Sequence, residues 1–329
     1  MKLTSGRRIT ALAAGVIACL VLTTVAVGAS SARNPQFNLR NLTGSITADG
    51  SSTVGPYTTA AAELFSRAGA SRVRVTVGVS GTGGGFQRFC RNEIDLADAS
   101  RPMRVSEAAS CKANNVGAWR AFTVANDALT VVVNQQNTWA TCLTVDELKK
   151  VWEPGSKVSN WRDIRSSFPD QPLKLFGPGT DSGTFEYFTE AINGRARASR
   201  SDYQASEDDN VLVQGVSGER GGMGYFGYSY FVENQNRLNA VQVRNPKTGQ
   251  CVAPNVASVH DGTYKPLSRP LFIYTKGTSF QQREVQAFID FIFDNEVRIA
   301  NRADFVSLTK QQLKKARTNF HLAVAAANR

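Results

Sequence analysis

Five runs rich in β-branched and aromatic residues, RVRVTVGV (72–79), ALTVVVN (128–134), LKLFG (173–177), NAVQVR (239–244) and PLFIYT (270–275), are separated by segments of helical periodicity beginning at Val54, Phe86, Val145, Phe185 and Phe280. Strands that alternate with helices predict an α/β protein with largely parallel sheets. A chain of 329 residues, 42% hydrophobic, can bury one core or two. ALTVVVN and SRPLFIYT are long and apolar for single strands, so either can cross between two lobes. That predicts a discontinuous first lobe, residues 43–134 plus 264–329, and an inserted second lobe, residues 135–263.

GPGTDSGTFEYFTEAI, Gly177 to Ile192, sets Thr180, Asp181, Ser182 and Thr184 among three glycines just ahead of an amphipathic segment. Two upstream stretches share the pattern. ADGSSTVGPYTTAAAELF places Gly50, Ser51, Ser52 and Thr53 before Val54, Tyr57, Ala61, Leu64 and Phe65, and VSGTGGGFQRF places Ser80, Thr82 and four glycines before Phe86 and Phe89. One such turn is ordinary N-capping. Three of them, each richer in hydroxyls and glycine than a cap requires, point to a shared anion site. Helix N-termini bring unsatisfied N–H donors and partial positive charge, and hydroxyls turn to suit each oxygen. No Lys follows the glycines, so a nucleotide-binding G-x-x-x-x-G-K-[ST] loop is excluded. Between the second and third turns, IDLADASRPM places Ser100 and Arg101 before Pro102. Arg101 reads either as the site's full positive charge or as a surface arginine fixed by its proline neighbour.

Lys2, Arg7 and Arg8 precede an apolar run from Ile9 to Ala29, the pattern of an export signal at residues 1–29, with a second small-residue cleavage site after Ala32. The run is also long enough to span a bilayer uncleaved; lipid attachment at Cys19 is disfavoured by the apolar residues that follow it. Removing the signal lowers the formal charge from +11 to about +8. The remaining Lys and Arg are scattered, or lie on one solvated face of KQQLKKARTNF, so no nucleic-acid partner is expected. Export leaves Cys90, Cys111, Cys142 and Cys251, an even number with neither C-x-x-C nor a Cys/His cluster. Disulfides are therefore expected rather than a metal site. Of three connectivities, the one anticipated is Cys90 with Cys111 and Cys142 with Cys251; buried free thiols are the alternative.

In chain order, GSSTVGP, VSGTGGGFQRF, IDLADASRPM, GPGTDSGTFEYFTEAI and GGMGYFGYSYF resemble the phosphate-binding proteins of bacterial phosphate ABC importers, the PstS/SphX type. VWEPGSKVSNWRDI and YKPLSRPLFIYT fit the same pattern, and the resemblance runs from about Ser45 to Leu308. It implies an α/β, two-lobed periplasmic-binding-protein fold of type II, whose lobes, joined by crossover strands, close on inorganic phosphate in the cleft between them. It further implies a monomeric receptor in the periplasm or at the cell surface, partnered by an ABC permease, with no enzymatic activity and no cofactor. Carried residue by residue, the ligand-binding turns fall on Ser52 and Thr53, on Ser80 and Thr82, and on Ser182, Gly183 and Thr184. This chain departs from the pattern twice: Pro178 stands where relatives often have Arg, and Ser100 where many have Asp. Arg101 and Asp181 are the nearest replacements, with Ser100 in or near the shell. A carboxylate would tell phosphate from sulfate by accepting its proton; Asp181 is the first candidate for that role and Asp98 the second. A receptor for sulfate, molybdate or another oxyanion, an extracellular hydrolase, and a scaffold on the same fold are the alternatives. His260 and His321, the two histidines, lie in no catalytic motif, and G-x-S-x-G does not occur.

Overall fold

The computed structural model describes residues 37–180, 182–206 and 208–327; the signal, both cleavage positions, Cys19 and Asp181 lie outside them. Three short strands open the chain: β1 (Gly44–Gly50), β2 (Val73–Val77) and β3 (Leu96–Ala99). The 16-residue β4 (Trp119–Asn134) follows, then β5 (Cys142–Leu143), β6 (Lys174–Pro178), β7 (Gln204–Ser206), β8 (Gly222–Gly227), β9 (Leu238–Ala240), β10 (Gln242–Arg244), β11 (Cys251–Val252) and β12 (Ser268–Lys276). The main sheet runs β2-β1-β3-β12-β4-β8-β6-β7, with β9 also on β4, and β11-β10-β5 form a small second sheet.

β4 joins the two lobes. Its first part, Trp119 to Ala128, pairs antiparallel with β12, while Leu129 to Val133 pair antiparallel with β8. Every residue from Val124 to Asn134 is buried, the expected state of a strand covered on both faces. Side-chain alternation then divides the cores. Leu129, Val131 and Val133 enter one core of the second lobe and Val132 the other; on β12, Leu271 and Ile273 face one core of the first lobe, and Tyr274 the other.

The α/β class and the two lobes are as expected, but the sheet is more mixed than alternation of strands and helices suggests. β1 is parallel to β2 and β3, and β6 to β7 and β8, whereas β4 and β12 run against their neighbours. NAVQVR is not one strand: Leu238–Ala240 pairs with β4 and Gln242–Arg244 with β5, so the segment switches sheets at Val241. Disulfides join Cys90 to Cys111 and Cys142 to Cys251, the anticipated pairing. No described helix is long and apolar enough to cross a membrane.

Candidate functional site

In the first lobe the strands β1, β2 and β3 lead towards helices α1 (Gly55–Arg67), α2 (Gly81–Cys90) and α3 (Val105–Ala113). α1 buries Tyr57, Ala60, Ala61, Leu64 and Phe65, a stripe at helical spacing that fixes the helix on the sheet and leaves its first turn at the strand ends. α2 starts earlier than its apolar residues suggest. Its glycines belong to the helix rather than to a preceding loop, so Thr82 sits in the first turn. Gly85 is required there, because a Cβ would lie 2.5 Å from the Cα of Gly50. The absence of that methyl lets α2 press against the first turn.

Two buried carboxyl groups hold these turns from below. Asp49 accepts the Ser80 N–H at 2.9 Å and pairs with Arg88. Burial opposes its charge, but Arg88 and Ser80 hold its pKa below the ordinary value. Asp98 accepts the Thr58 hydroxyl at 2.9 Å through one oxygen, while its other oxygen has no partner among the described residues. Complete burial, with the Asp49 charge adding, raises its pKa to about 7. Its backbone carbonyl takes the Ser51 N–H at 2.9 Å. Asp98 thus supports the first turn from within the lobe.

The second lobe contributes α4 (Val145–Trp152), α5 (Trp161–Ile164) and α6 (Gly183–Asn193). Ser182 caps α6, its Oγ accepting the Thr184 N–H at 3.1 Å. The loop before it is tied down by Tyr203, which donates to the Pro178 carbonyl at 2.8 Å, and by Arg197, which donates to Thr180 O at 2.6 Å.

The three turns meet across the lobes. Thr53 donates its hydroxyl to Gly183 O at 3.3 Å, and Ser52 donates to the Glu186 carboxylate at 3.0 Å. A Cβ on Gly183 would stand 2.7 Å from Thr53 N, so backbone approaches backbone there. Glu186 also reaches α2, its Oε1 lying 4.0 Å from where a side chain on Gly81 would begin. Within the first lobe, Thr82 Oγ1 and Ser100 Oγ are 3.1 Å apart, both buried, which joins the second turn to the end of β3. The structure therefore joins Ser52 and Thr53 to Glu186 and Gly183 across the lobes, sets Ser182 and Thr184 beside Gly183, and pairs Thr82 with Ser100 within the first lobe. Ser80 is the exposed cap of α2, at the edge of this group.

Arg101 lies close by but is engaged elsewhere. Its two terminal nitrogens donate to Glu107 of α3 at 2.9 and 2.7 Å, and its guanidinium is 5.6 Å from the Phe86 ring centroid. The hydrogen bonds to Glu107 raise its pKa, against some loss of hydration.

Two residues that sequence reasoning missed stand at the junction. Glu186 is one helical turn beyond Ser182, on the α6 face that meets the first lobe. Arg269, from β12, donates to Thr53 Oγ1 at 3.0 Å, pairs with buried Asp127 at 3.4 Å, and stacks 3.5 Å from the Tyr187 ring centroid. The spacing SGTFE could have flagged Glu186, since positions 182 and 186 share a helix face. No local pattern marks Arg269, which is 216 positions from its partner Thr53.

Among the described residues no group of three His, Cys, Asp or Glu is placed to hold a metal ion. The arrangement can surround a small tetrahedral anion with hydroxyls and helix N–H donors from both lobes. The PBP superfamily domain matches residues 36–296. The chain is 46% identical over 277 residues to SphX of Synechococcus elongatus, covering 84% of this chain and 81% of that one. It is 32% identical over 302 residues to the phosphate-binding protein PstS of Staphylococcus haemolyticus, covering 91% and 92%. A crystal structure of "a possible phosphate binding protein" from Planctomyces limnophilus superposes with a TM-score of 0.82 at 46% identity, covering 86% of this chain and 99% of that one.

Proposed function

The chain belongs to the SphX and PstS family of phosphate-binding proteins within the PBP superfamily, and from that membership we propose that it is an exported receptor that captures inorganic phosphate between its lobes and delivers it to an ABC permease. The observation that carries this reading is the approach of Ser/Thr/Gly helix starts from two lobes, with Thr53 donating to Gly183 O, Ser52 to Glu186, and Glu186 lying beside Gly81 at the start of α2. Ser52, Thr53, Ser80, Thr82, Ser182, Gly183 and Thr184 line the anion, with Ser100 behind Thr82. The residues act by binding rather than by turnover. Phosphate carries a proton at neutral pH and sulfate does not, so a carboxylate acceptor favours phosphate; Asp181 and Glu186 are the carboxylates assigned to that role.

Titration calorimetry with phosphate tests the reading, with sulfate and molybdate in competition. Each neutral hydrogen bond contributes about 0.5 to 1.5 kcal/mol, so Ser182→Ala and Thr82→Ala are each expected to weaken phosphate by roughly 2- to 12-fold. If neither substitution changes phosphate affinity, the turns are capping motifs and the site lies elsewhere.

A further inference from the structure

We infer that Arg269, on the crossover strand β12, supplies the guanidinium that balances the bound anion, a role that the sequence suggested for Arg101. The inference rests on the phosphate reading and adds to it the source of the positive charge.

Position comes first. Arg269 Nη2 donates to Thr53 Oγ1 at 3.0 Å, and the same hydroxyl donates to Gly183 O at 3.3 Å, so the guanidinium is one atom removed from the contact of the first and third turns. Donor capacity comes second. The side chain is only 14% exposed, and a cation this far from water needs compensation. Asp127 supplies one carboxylate at a long 3.4 Å, and Nη1 has no hydrogen-bond partner among the described residues. A guanidinium has five N–H donors in a fixed fork, matched to an oxyanion. Rigidity comes third. The fork lies 3.5 Å from the centroid of the Tyr187 ring, whose hydroxyl is fixed on the Pro266 carbonyl at 2.7 Å. Little side-chain freedom is left to lose when an anion arrives.

Arg101 lacks these properties. Both of its terminal nitrogens are committed to Glu107, and Glu190 adds a second negative charge near it. Pro178, where relatives often carry arginine, is buried and offers neither charge nor donor. Arg269 also touches Thr53 of the first lobe and Tyr187 of the second, so one side chain ties charge recognition to lobe closure.

The test is phosphate titration on the mature chain and three single variants. Charge-assisted hydrogen bonds predict a loss of roughly 10- to 150-fold in Arg269→Gln, partial recovery in Arg269→Lys, and a change within about threefold in Arg101→Gln. A loss of affinity that persists when Asp127 is neutralised as well is the readout that a purely structural role would not give. Because Arg269→Gln leaves Asp127 buried without its cation, the double variant Arg269→Gln with Asp127→Asn is titrated as well. A folded double variant with the same loss supports the inference. Phosphate affinity within about threefold of wild type in either folded Arg269→Gln background overturns it, as does a larger loss in Arg101→Gln. A wild-type chain that binds no phosphate at all removes the phosphate reading, and the inference with it.

Discussion

Gly183→Ala separates lobe closure from folding. The new Cβ would stand 2.7 Å from Thr53 N and 2.9 Å from both Ser52 C and Thr53 Cα, all of them backbone atoms that cannot swing aside. Ordinary contact begins near 3.4 Å, so the first and third turns must part by about 0.7 Å. The Thr53 hydroxyl bond to Gly183 O, already 3.3 Å long, does not survive that displacement. One hydrogen bond at about 0.5 to 1.5 kcal/mol and an overpacked contact at about 1 to 3 kcal/mol together disfavour the closed state by roughly 1.5 to 4.5 kcal/mol. Phosphate binding is then weakened by roughly 10- to 2,000-fold. The open protein is not harmed. Position 183 begins α6 with no left-handed backbone requirement, and alanine is the better helix former. Titration calorimetry with phosphate and thermal melting without it should therefore diverge: a large loss of affinity beside an unchanged or higher melting temperature. An unchanged phosphate affinity would refute the contact as a determinant of binding, and a lower melting temperature without ligand would refute the assignment of the effect to closure.

Two further perturbations address the frame. The Cys142–Cys251 bridge closes a loop of 109 residues and Cys90–Cys111 one of 21, so paired Cys→Ser variants should lose about 4.7 and about 3 kcal/mol in the chain-entropy account; guanidinium unfolding that shows equal losses, or the reverse order, contradicts it. Asp98 has its pKa raised by burial to about 7, so it binds its proton more tightly folded than unfolded. Its contribution is complete below the ordinary value of 3.8 and is lost as pH rises towards 7. Asp98→Asn, which keeps an acceptor for Thr58, should flatten that part of the stability profile; parallel wild-type and variant curves from pH 4 to 8 would show that the group does not titrate in this range.

The lobes were readable in the sequence because their signals are local. Val131, Val132 and Val133 announce a strand buried on both faces, and the stripe Tyr57, Ala61, Leu64, Phe65 announces a helix on a sheet. What local pattern does not carry is strand direction and partner choice. Val241 and Val243 look like one strand with Asn239, yet backbone pairing assigns the two ends to different sheets. The glycines of α2 misplaced its start for a related reason. Glycine lowers helix propensity, but here the approach of Gly85 to Gly50 rewards the helix with packing that no propensity scale contains.

The hydroxyl turns were legible because each is a contiguous motif, whereas the charge around them was not. Arg101 attracts notice through its neighbours in sequence, Ser100 and Pro102, and those same neighbours place it where α3 presents Glu107. Arg269 sits in an unremarkable strand, and its environment is assembled from Thr53, Asp127 and Tyr187 on three separate elements. A guanidinium this buried is tolerable only because the fold supplies a carboxylate, an aromatic face and a hydroxyl together. The consequence is a division of labour between sequence levels: local motifs present hydroxyls and N–H groups at helix starts, and the crossover strand brings in the charge. On that division, changing a turn residue grades affinity, while changing Arg269 removes the electrostatic reason for an anion to stay in the cleft.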